Sequence, residues 1–210
     1  MNNSLQEYLN FANKLADAAG TTSMEYFRTS LSIDNKSDES PVTIADKNTE
    51  LEIRSMIQKT YPDHGILGEE FDSINPDAEF IWVIDPIDGT RSYIAGHKDF
   101  GNLISLTQNK KPIIGIINCP AHNERWVGVQ NLNSTINERP AKSSNVTNIK
   151  NAYLFTSGLY FDEPHLRSAV EKINKKVRYF RYGGDCYMYG MLASGLIDIV
   201  IEDTLKAHDY

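Results

Sequence analysis

One hexapeptide, Asp85–Thr90, has residue types and spacing that suit the binding of a metal ion and a phosphate group. Asp85 and Asp88 directly follow a short apolar run, 80–84, which predicts a buried strand that ends in a turn. Open α/β sheets bind ligands at the carboxyl ends of their strands. Carboxylates bind hard cations, the backbone of Gly89 can approach an anion closely, and a following helix would supply N–H donors. The hexapeptide therefore predicts most of a metal-dependent phosphate site.

Four further acidic residues lie where predicted strands end or predicted helices begin: Asp46, Glu69, Glu70 and Asp209. A single Asp in a loop more often forms a turn or caps a helix than binds a ligand. For the adjacent glutamates, the common alternative is a solvated pair. A site therefore requires that these carboxylates converge with those of the hexapeptide.

Convergence of four or five carboxylates would require cations among them. At about 4 Å and an effective dielectric constant near 20, each adjacent pair would repel by roughly 4 kcal/mol. A domain stabilised by only ~5–15 kcal/mol could not contain several such pairs uncompensated. Oxygen ligands favour Mg²⁺ over zinc, with Mn²⁺ as a substitute. His208, beside Asp209, is the only histidine near the acidic set in the sequence, and we expect it not to be a ligand.

Size and composition indicate an ordinary globular protein. The 210 residues are 40% apolar and 23% charged, and a chain of this length can bury a sizeable core. A net charge of −7, without a run of Lys or Arg, argues against binding to nucleic acid. No signal-peptide pattern is visible, no window reaches the roughly 18 apolar residues of a membrane span, and two cysteines are too few for a disulfide framework. We therefore expect a cytoplasmic protein with reduced thiols that does not contact membranes.

Hydrophobic periodicity predicts helices and strands in layers. A first amphipathic helix is predicted over 5–19 and extends at most through residue 27. A second helix follows Asp46, with Leu51 among its apolar residues, and polar loops are predicted at 34–40 and 131–148. After Thr90, three strands joined by short turns predict an antiparallel meander. The predicted strands are 66–68, 80–84, 100–107, 113–119, 125–129, 152–156, 177–180 and 197–201, and the later helices are 164–174 and 186–194. This order predicts an α/β or α+β layered sandwich.

In their order along the chain, the acidic motifs resemble the inositol monophosphatase superfamily of Mg²⁺-dependent, lithium-sensitive phosphatases. The resemblance is carried by Asp46, Gly68-Glu69-Glu70, the hexapeptide Asp85–Thr90 and Asp209, and it covers nearly the whole chain. The hexapeptide is highly specific and the Gly-Glu-Glu segment moderately so. The resemblance implies alternating αβαβα layers and a homodimer.

Two segments narrow the resemblance to the histidinol-phosphate phosphatase branch. They are Arg181–Gly190, which reads RYGGDCYMYG, and Leu205–Tyr210, which reads LKAHDY. In the inositol phosphatases the last acidic ligand usually follows Trp, whereas here Asp209 follows His208. The resemblance therefore implies histidinol phosphate as the substrate and a place in histidine biosynthesis. Inositol-1-phosphate is the alternative substrate, and a catalytically silent, metabolite-binding relative is the alternative to an enzyme.

The resemblance also implies which residues hold two or three Mg²⁺ ions. Glu69, Asp85 and the main-chain carbonyl of Ile87 would bind the first ion, Asp85, Asp88 and Asp209 the second, and Glu70 and Asp46 would help to place a third ion or its waters. Such ions would lower the pKa of bound water and neutralise the phosphate oxygens. Direct in-line attack by water then needs no covalent enzyme intermediate.

The remaining implied roles concern the water and the phosphate. Thr90, with Glu69 and Asp46, would orient and deprotonate the attacking water. The amides of Gly89 and Thr90, beside Asp88, would hold the phosphate.

On the side of the leaving alcohol, the resemblance implies roles for Asp185 and Glu202. Two carboxylates there would suit a cationic amine such as that of histidinol. Arg181 would either reach the substrate or pair with a core acid.

We expect a single domain over residues 1–210. Its metal- and phosphate-binding half would cover about 1–145 and its substrate half about 150–210. The chain stops one residue after Asp209, whereas members of the superfamily continue for several more elements. We therefore also expect that carboxyl-terminal elements of the fold are missing.

Overall fold

Helices and strands alternate along the chain in the computed structural model, which describes residues 3–30, 32–35, 41–158, 164–203 and 205–209. The helices are α1 (Asn3–Tyr26), α2 (Ile44–Thr60), α3 (Thr90–Ile94), α4 (Pro164–Asn174) and α5 (Asp185–Ala193). The strands are β1 (Ile33–Asn35), β2 (Pro41–Thr43), β3 (Gly65–Gly68), β4 (Phe80–Asp88), β5 (Gly101–Gln108), β6 (Lys111–Cys119), β7 (Glu124–Val129), β8 (Thr135–Ile136), β9 (Arg139–Pro140), β10 (Tyr153–Thr156), β11 (Tyr179–Tyr182) and β12 (Ile199–Val200). Across these described ranges, no helix combines the length and the apolar character needed to cross a bilayer.

Strands β3 to β9 form the large sheet, in which the spatial order follows the chain order. β3 and β4 run parallel, and each later pair of neighbours is antiparallel, which confirms the predicted meander. A smaller parallel sheet has the order β11-β10-β12, and β1 pairs with β2 in a short antiparallel ribbon.

Helices α1 and α2 cover one face of the large sheet. The buried residues of α1 lie three or four positions apart, which places them on one side of the helix. The core between these helices and the sheet includes Ala12, Leu15, Ala16, Ala19, Ile53, Ile57, Trp82, Ile84 and Ile104. Because alanine side chains are short, α1 can lie close to the strands. The helix predicted over 5–19 is confirmed, and it continues to Tyr26.

Helix α5 packs against the opposite face of the large sheet. Val127 contacts the core under α1 and α2, so the neighbouring Trp126 points to the other face. There Gly190 of α5 lies so close that a Cβ atom would come within 2.6 Å of the Trp126 ring. Trp126 Nε1 also donates to Ser194 Oγ at 2.7 Å. Helices therefore lie on both faces of the sheet, and the predicted layered α/β class is confirmed.

Strand β4 differs from its prediction in a way that matters for the site. The strand predicted over 80–84 continues through Asp88, so the prediction of a turn at Asp85 is wrong. Pro86 cannot donate to the ladder, and the register against β5 is irregular between the two aspartates. The buried Asn102 side chain donates to the Pro86 carbonyl at 2.7 Å and satisfies it. Both carboxylates are therefore carried by a strand.

Smaller differences concern short elements. The strand predicted over 177–180 is observed as β11, two residues later, and the strand predicted over 197–201 is shortened to β12. The predicted loop 131–148 contains β8 and β9, because two-residue strands are too short to show an alternating pattern. In the other predicted loop, 34–40, residues 34–35 belong to β1, whereas 36–40 lie outside the described residues, as does Tyr210. The division into halves near residue 150 stays a prediction.

Candidate active site

Carboxylates from distant parts of the sequence meet at the carboxyl end of β4. One oxygen from each of Asp85, Asp88 and Asp209 lies within 4.8 Å of the others. A second, overlapping group contains Glu69, Asp85 and His208, with ligand atoms within the same distance. Glu69 directly follows β3, the parallel neighbour of β4, so the two strands deliver their acidic residues side by side.

Asp85 belongs to both groups and is only 2% exposed. Within the described part of the chain, its Oδ1 has no hydrogen-bond partner. A buried polar atom without a partner costs about 1–3 kcal/mol, and more when it is charged. Hard divalent cations prefer carboxylate oxygens as ligands, and an ion at this point would satisfy the oxygen. The residues that are present therefore fit a divalent metal ion.

Burial and like charges oppose full ionisation of the cluster. Burial and the neighbouring carboxylates, first among them Glu69, raise the pKa of Asp85 well above its usual value. Burial and the charge of Asp185 raise the pKa of Asp88 to about 7, although a 2.6 Å hydrogen bond from the Cys186 N–H acts in the opposite direction. At 4.8 Å and a dielectric constant near 20, two carboxylates repel by roughly 3–4 kcal/mol. A cation would remove most of this repulsion.

Asp46 lies in the first turn of helix α2, whose N-cap is Thr43, and also faces Thr90. Its Oδ2 accepts hydrogen bonds from Thr43 N at 2.8 Å and Thr43 Oγ1 at 2.6 Å, which completes a capping box. Its Oδ1 lies 3.3 Å from Thr90 Oγ1, whose single proton can be donated either there or to the Ile87 carbonyl at 3.1 Å. Burial raises the pKa of Asp46 despite the bonds from Thr43. Asp46 therefore takes part in the capping box of α2 and also lies in a position suited to proton transfer.

Gly89 joins β4 to α3 in a left-handed backbone conformation, with φ +81°. A Cβ atom at this position would lie 3.0 Å from both Cβ and Cγ of Asp185. Both the conformation and the close approach therefore favour glycine here. Because of this approach, the backbone before α3 faces the first residue of α5.

A buried ion pair on α2 holds the segment that carries the two glutamates. Glu50 and Arg54 are joined by a 2.6 Å bond from Nε to Oε1. Glu50 Oε2 accepts the Glu70 N–H at 2.8 Å, and the Arg54 guanidinium donates to the carbonyls of Phe71–Asp72 at 2.8 and 3.0 Å. A Cβ on Gly68 would lie 2.0 Å from Glu50 Oε1, so a larger residue there would displace the Glu50 carboxylate. The hydrogen bonds of the pair fix the backbone directly after Glu69.

Two further predicted carboxylates lie beyond the hexapeptide. Asp185 begins α5 and accepts a 2.5 Å hydrogen bond from Ser92 Oγ of α3, while burial raises its pKa. Glu202 accepts from Ser157 N at 2.8 Å and from the Tyr189 hydroxyl at 3.4 Å, and burial raises its pKa too. The charge of Asp185 contributes to the raised pKa of Glu202, so the two carboxylates act on each other.

Arg181 lies on the exposed side of β11, with its guanidinium 5.8 Å from the centre of the Phe155 ring. In the described part of the chain, no hydrogen bond or ion pair joins it to the acidic cluster. This position neither brings it to the carboxylates nor pairs it with a core acid.

Some residues that support the site through the backbone are not predicted by the sequence pattern. Helical periodicity placed Leu51 on the apolar side of α2, but it is 50% exposed, whereas the charged Glu50 and Arg54 are buried. The four-residue spacing of Glu50 and Arg54 predicts an ion pair along the helix. It does not predict that the pair is buried, because such pairs usually lie on the surface. His208 was expected not to be a ligand, yet its ring lies beside Glu69 and Asp85.

Comparisons with known proteins show which family the chain resembles. The family model described as the inositol monophosphatase family matches residues 4–210. The chain is 39% identical to the chloroplastic bifunctional phosphatase IMPL2 of Arabidopsis thaliana over 98% of its own length, and it spans 60% of the length of that relative. It is 34% identical to a histidinol-phosphatase of Chlorobaculum parvum, with 96% of this chain and 78% of the relative covered.

A solved structure of an inositol monophosphatase from Zymomonas mobilis superposes with a TM-score of 0.89. The two sequences are 39% identical, and the match covers all of this chain and 81% of the other. The mixed α/β layers described above are therefore those of a known fold.

The ion pair on α2 gives a first prediction. Arg54→Met should lower the free energy of unfolding by about 3–5 kcal/mol, because it leaves the charge of Glu50 buried without its partner. Arg167→Met is the matched control, since Arg167 and Glu171 have the same four-residue spacing but are 55% and 59% exposed. The control should lose less than about 0.5 kcal/mol. Equal losses in denaturant-unfolding curves would contradict the structural role given to the buried pair.

The raised pKa values give a second prediction. Without divalent metal, the melting temperature should fall as the pH rises from about 4.5 to 7.5, because Asp88 (pKa about 7, against an ordinary 3.8) keeps its proton only in the folded state. Each pKa unit is worth about 1.4 kcal/mol, and each kcal/mol shifts the melting temperature by about 2–4 °C. Asp88→Asn should show a weaker pH dependence. Calorimetric scans with a chelator would refute the prediction if the wild type became more stable over this range.

Proposed function

The chain belongs to the inositol monophosphatase family, whose members are metal-dependent phosphatases, and we propose that it hydrolyses histidinol phosphate to histidinol and phosphate. The observation that carries the proposal is the convergence of Asp85, Asp88 and Asp209 around a buried carboxylate oxygen without a partner. A cation would stabilise such a cluster, and a cation at a strand end beside Gly89 is suited to a phosphate group.

Mg²⁺ is the proposed ion, with Mn²⁺ as a substitute, because the carboxylates supply hard oxygen ligands. The residues proposed to hold two or three ions are Glu69, Glu70, Asp85, Asp88, Asp209, Asp46 and the carbonyl of Ile87. Such ions, when bound, lower the pKa of a water and neutralise phosphate oxygens. The amides of Gly89 and Thr90 are proposed to hold the phosphate against this cluster.

Thr90 and Asp46 are proposed to move the proton of the attacking water. Thr90 Oγ1 can accept a proton from the water while it donates its own to Asp46 Oδ1, 3.3 Å away. Because burial raises the pKa of Asp46, its carboxylate is a better base than an exposed one. Thr43 holds Asp46 in place with two hydrogen bonds, so little reorganisation is needed during the reaction. Glu69 is proposed to orient the water from the other side.

Recognition of the leaving alcohol is proposed to depend on Asp185 and Glu202. Their mutual repulsion and burial favour a bound cation, and the amine of histidinol is one. Arg181 is exposed on β11, and we propose for it at most a contact with the outer part of the substrate. The similarity to the Chlorobaculum parvum histidinol-phosphatase supports this substrate.

Inositol-1-phosphate is the second candidate substrate, because the chain is also 39% identical to the Zymomonas mobilis inositol monophosphatase. In that case Glu202 and Asp185 would accept hydrogen bonds from inositol hydroxyls. The homodimer expected from the resemblance stays a prediction, which light scattering on the purified protein would test.

A third prediction tests the reaction itself. The purified protein should release inorganic phosphate from histidinol phosphate faster than from inositol-1-phosphate, and only with a divalent cation. Asp88→Asn should reduce the rate at least about 10²-fold, because it removes a ligand charge at nearly constant volume. Asp77→Asn, on an exposed loop, is the matched control and should keep the wild-type rate. Preference for inositol-1-phosphate would reject the proposed substrate, and an active Asp88→Asn variant would reject the proposed metal site.

A fourth prediction tests the leaving-group site. Asp185→Asn should raise KM for histidinol phosphate about 10- to 100-fold, because a buried hydrogen bond to a charged group is worth about 1.5–3 kcal/mol. Asparagine tolerates the positive φ of +40° at this position, so the backbone should be unchanged. Glycerol phosphate, which has no amine, should show little change in KM with the same variant. Equal increases for both esters in steady-state assays would contradict recognition of the amine.

A further inference from the structure

The ring of His208 lies at the metal cluster, on the segment that precedes the last acidic residue. One of its ring nitrogens and one oxygen from each of Glu69 and Asp85 are mutually within 4.8 Å. The side chain is 12% exposed, and Asp85 is buried. These three donors come from three separate parts of the chain, so no local sequence motif accounts for their approach.

The spacing of the three donors suits a common ion. Protein ligands bind divalent cations at about 2.0–2.6 Å, so two ligands of one ion are separated by at most about 4–5 Å. An imidazole and two carboxylates at this separation can therefore bind one ion with small side-chain movements. The unpartnered Asp85 Oδ1 is an independent indication that an ion belongs here, because no described donor reaches it.

Other interactions do not explain the position of the ring. Within the described residues, Nε2 of the ring lies 3.9 Å from Asp209 Oδ1, and this distance is too long for a hydrogen bond. The ring also borders an apolar cavity of about 320 Å³, together with Leu103 and Trp126. Packing against this cavity would account for an aromatic residue, but not for a nitrogen that faces two carboxylates.

We propose that His208 is a nitrogen ligand of the ion bound by Glu69 and Asp85. Imidazole suits transition metals, whereas Mg²⁺ prefers oxygen ligands. The site should therefore bind Mn²⁺ and Co²⁺ more tightly, relative to Mg²⁺, than a site made of carboxylates alone. This inference rests on the proposed function only for the presence of a divalent ion at the cluster.

Bound Mn²⁺ provides a direct test on the intact chain. Electron spin echo envelope modulation detects a ¹⁴N nucleus that is coordinated to Mn²⁺, and the wild type should show this signal. His208→Phe should lose it, and so should His208→Gln, whose amide presents an oxygen. His165→Phe removes an exposed histidine on α4 and should retain it. A wild-type spectrum without ¹⁴N modulation would overturn the assignment, whether or not the variants fold.

Calorimetric titration supplies a second readout. For His208→Phe, the Kd for Mn²⁺ and Co²⁺ should rise at least about tenfold, whereas the Kd for Mg²⁺ should change less than about threefold. Equal changes for all three ions would mean that the ring acts only through packing, and would overturn the inference.

The two proposals can fail separately. A ¹⁴N signal without phosphate release from any ester would support His208 as a ligand and reject the proposed reaction. Hydrolysis of histidinol phosphate without a ¹⁴N signal would support the proposed reaction and reject His208 as a ligand.

Discussion

Asp85, Asp88 and Asp209 bring like charges together around the end of β4, where Asp85 is buried and the other two are partly exposed. The neighbours that raise the pKa of Asp85 are themselves acidic residues. Hydrogen bonds from the chain help only in part, as the Cys186 N–H does for Asp88. A cation from outside the chain would therefore relieve the repulsion at this end of the molecule. The same cation would make the site chemically useful, since it could act on a phosphate group.

The surrounding elements hold these carboxylates through backbone contacts. The ion pair of Glu50 and Arg54 binds the main chain directly after Glu69, and the threonine that caps α2 orients Asp46. Each support uses hydrogen bonds from a residue that is part of a helix or strand. Since such partners move little, the ligands can stay close together without a metal to organise them.

Helix α5 connects the proposed substrate site to the carboxylate cluster. Its first residue, Asp185, faces Ser92 and the backbone at Gly89, and its second residue, Cys186, donates to the carboxylate of Asp88. The close packing of Gly190 on Trp126 fixes this helix against the large sheet. Two adjacent residues of α5 therefore link the proposed leaving-group site to Asp88, and the charge of Asp185, together with burial, raises the pKa of Asp88.

Elements that have a clear period or a specific motif follow from the amino-acid sequence alone. The spacing of apolar residues predicts the long helix α1, and apolar runs between turns predict the meander. The residue types of the hexapeptide Asp85–Thr90 predict a site for a metal ion and a phosphate group. The contacts between distant residues, in contrast, are set by tertiary packing. Periodicity along one helix could not show that Glu50 and Arg54 are buried, because their partners follow a strand that lies far along the chain. It could not place His208 beside Asp85 either, since that distance depends on the packing of the whole chain.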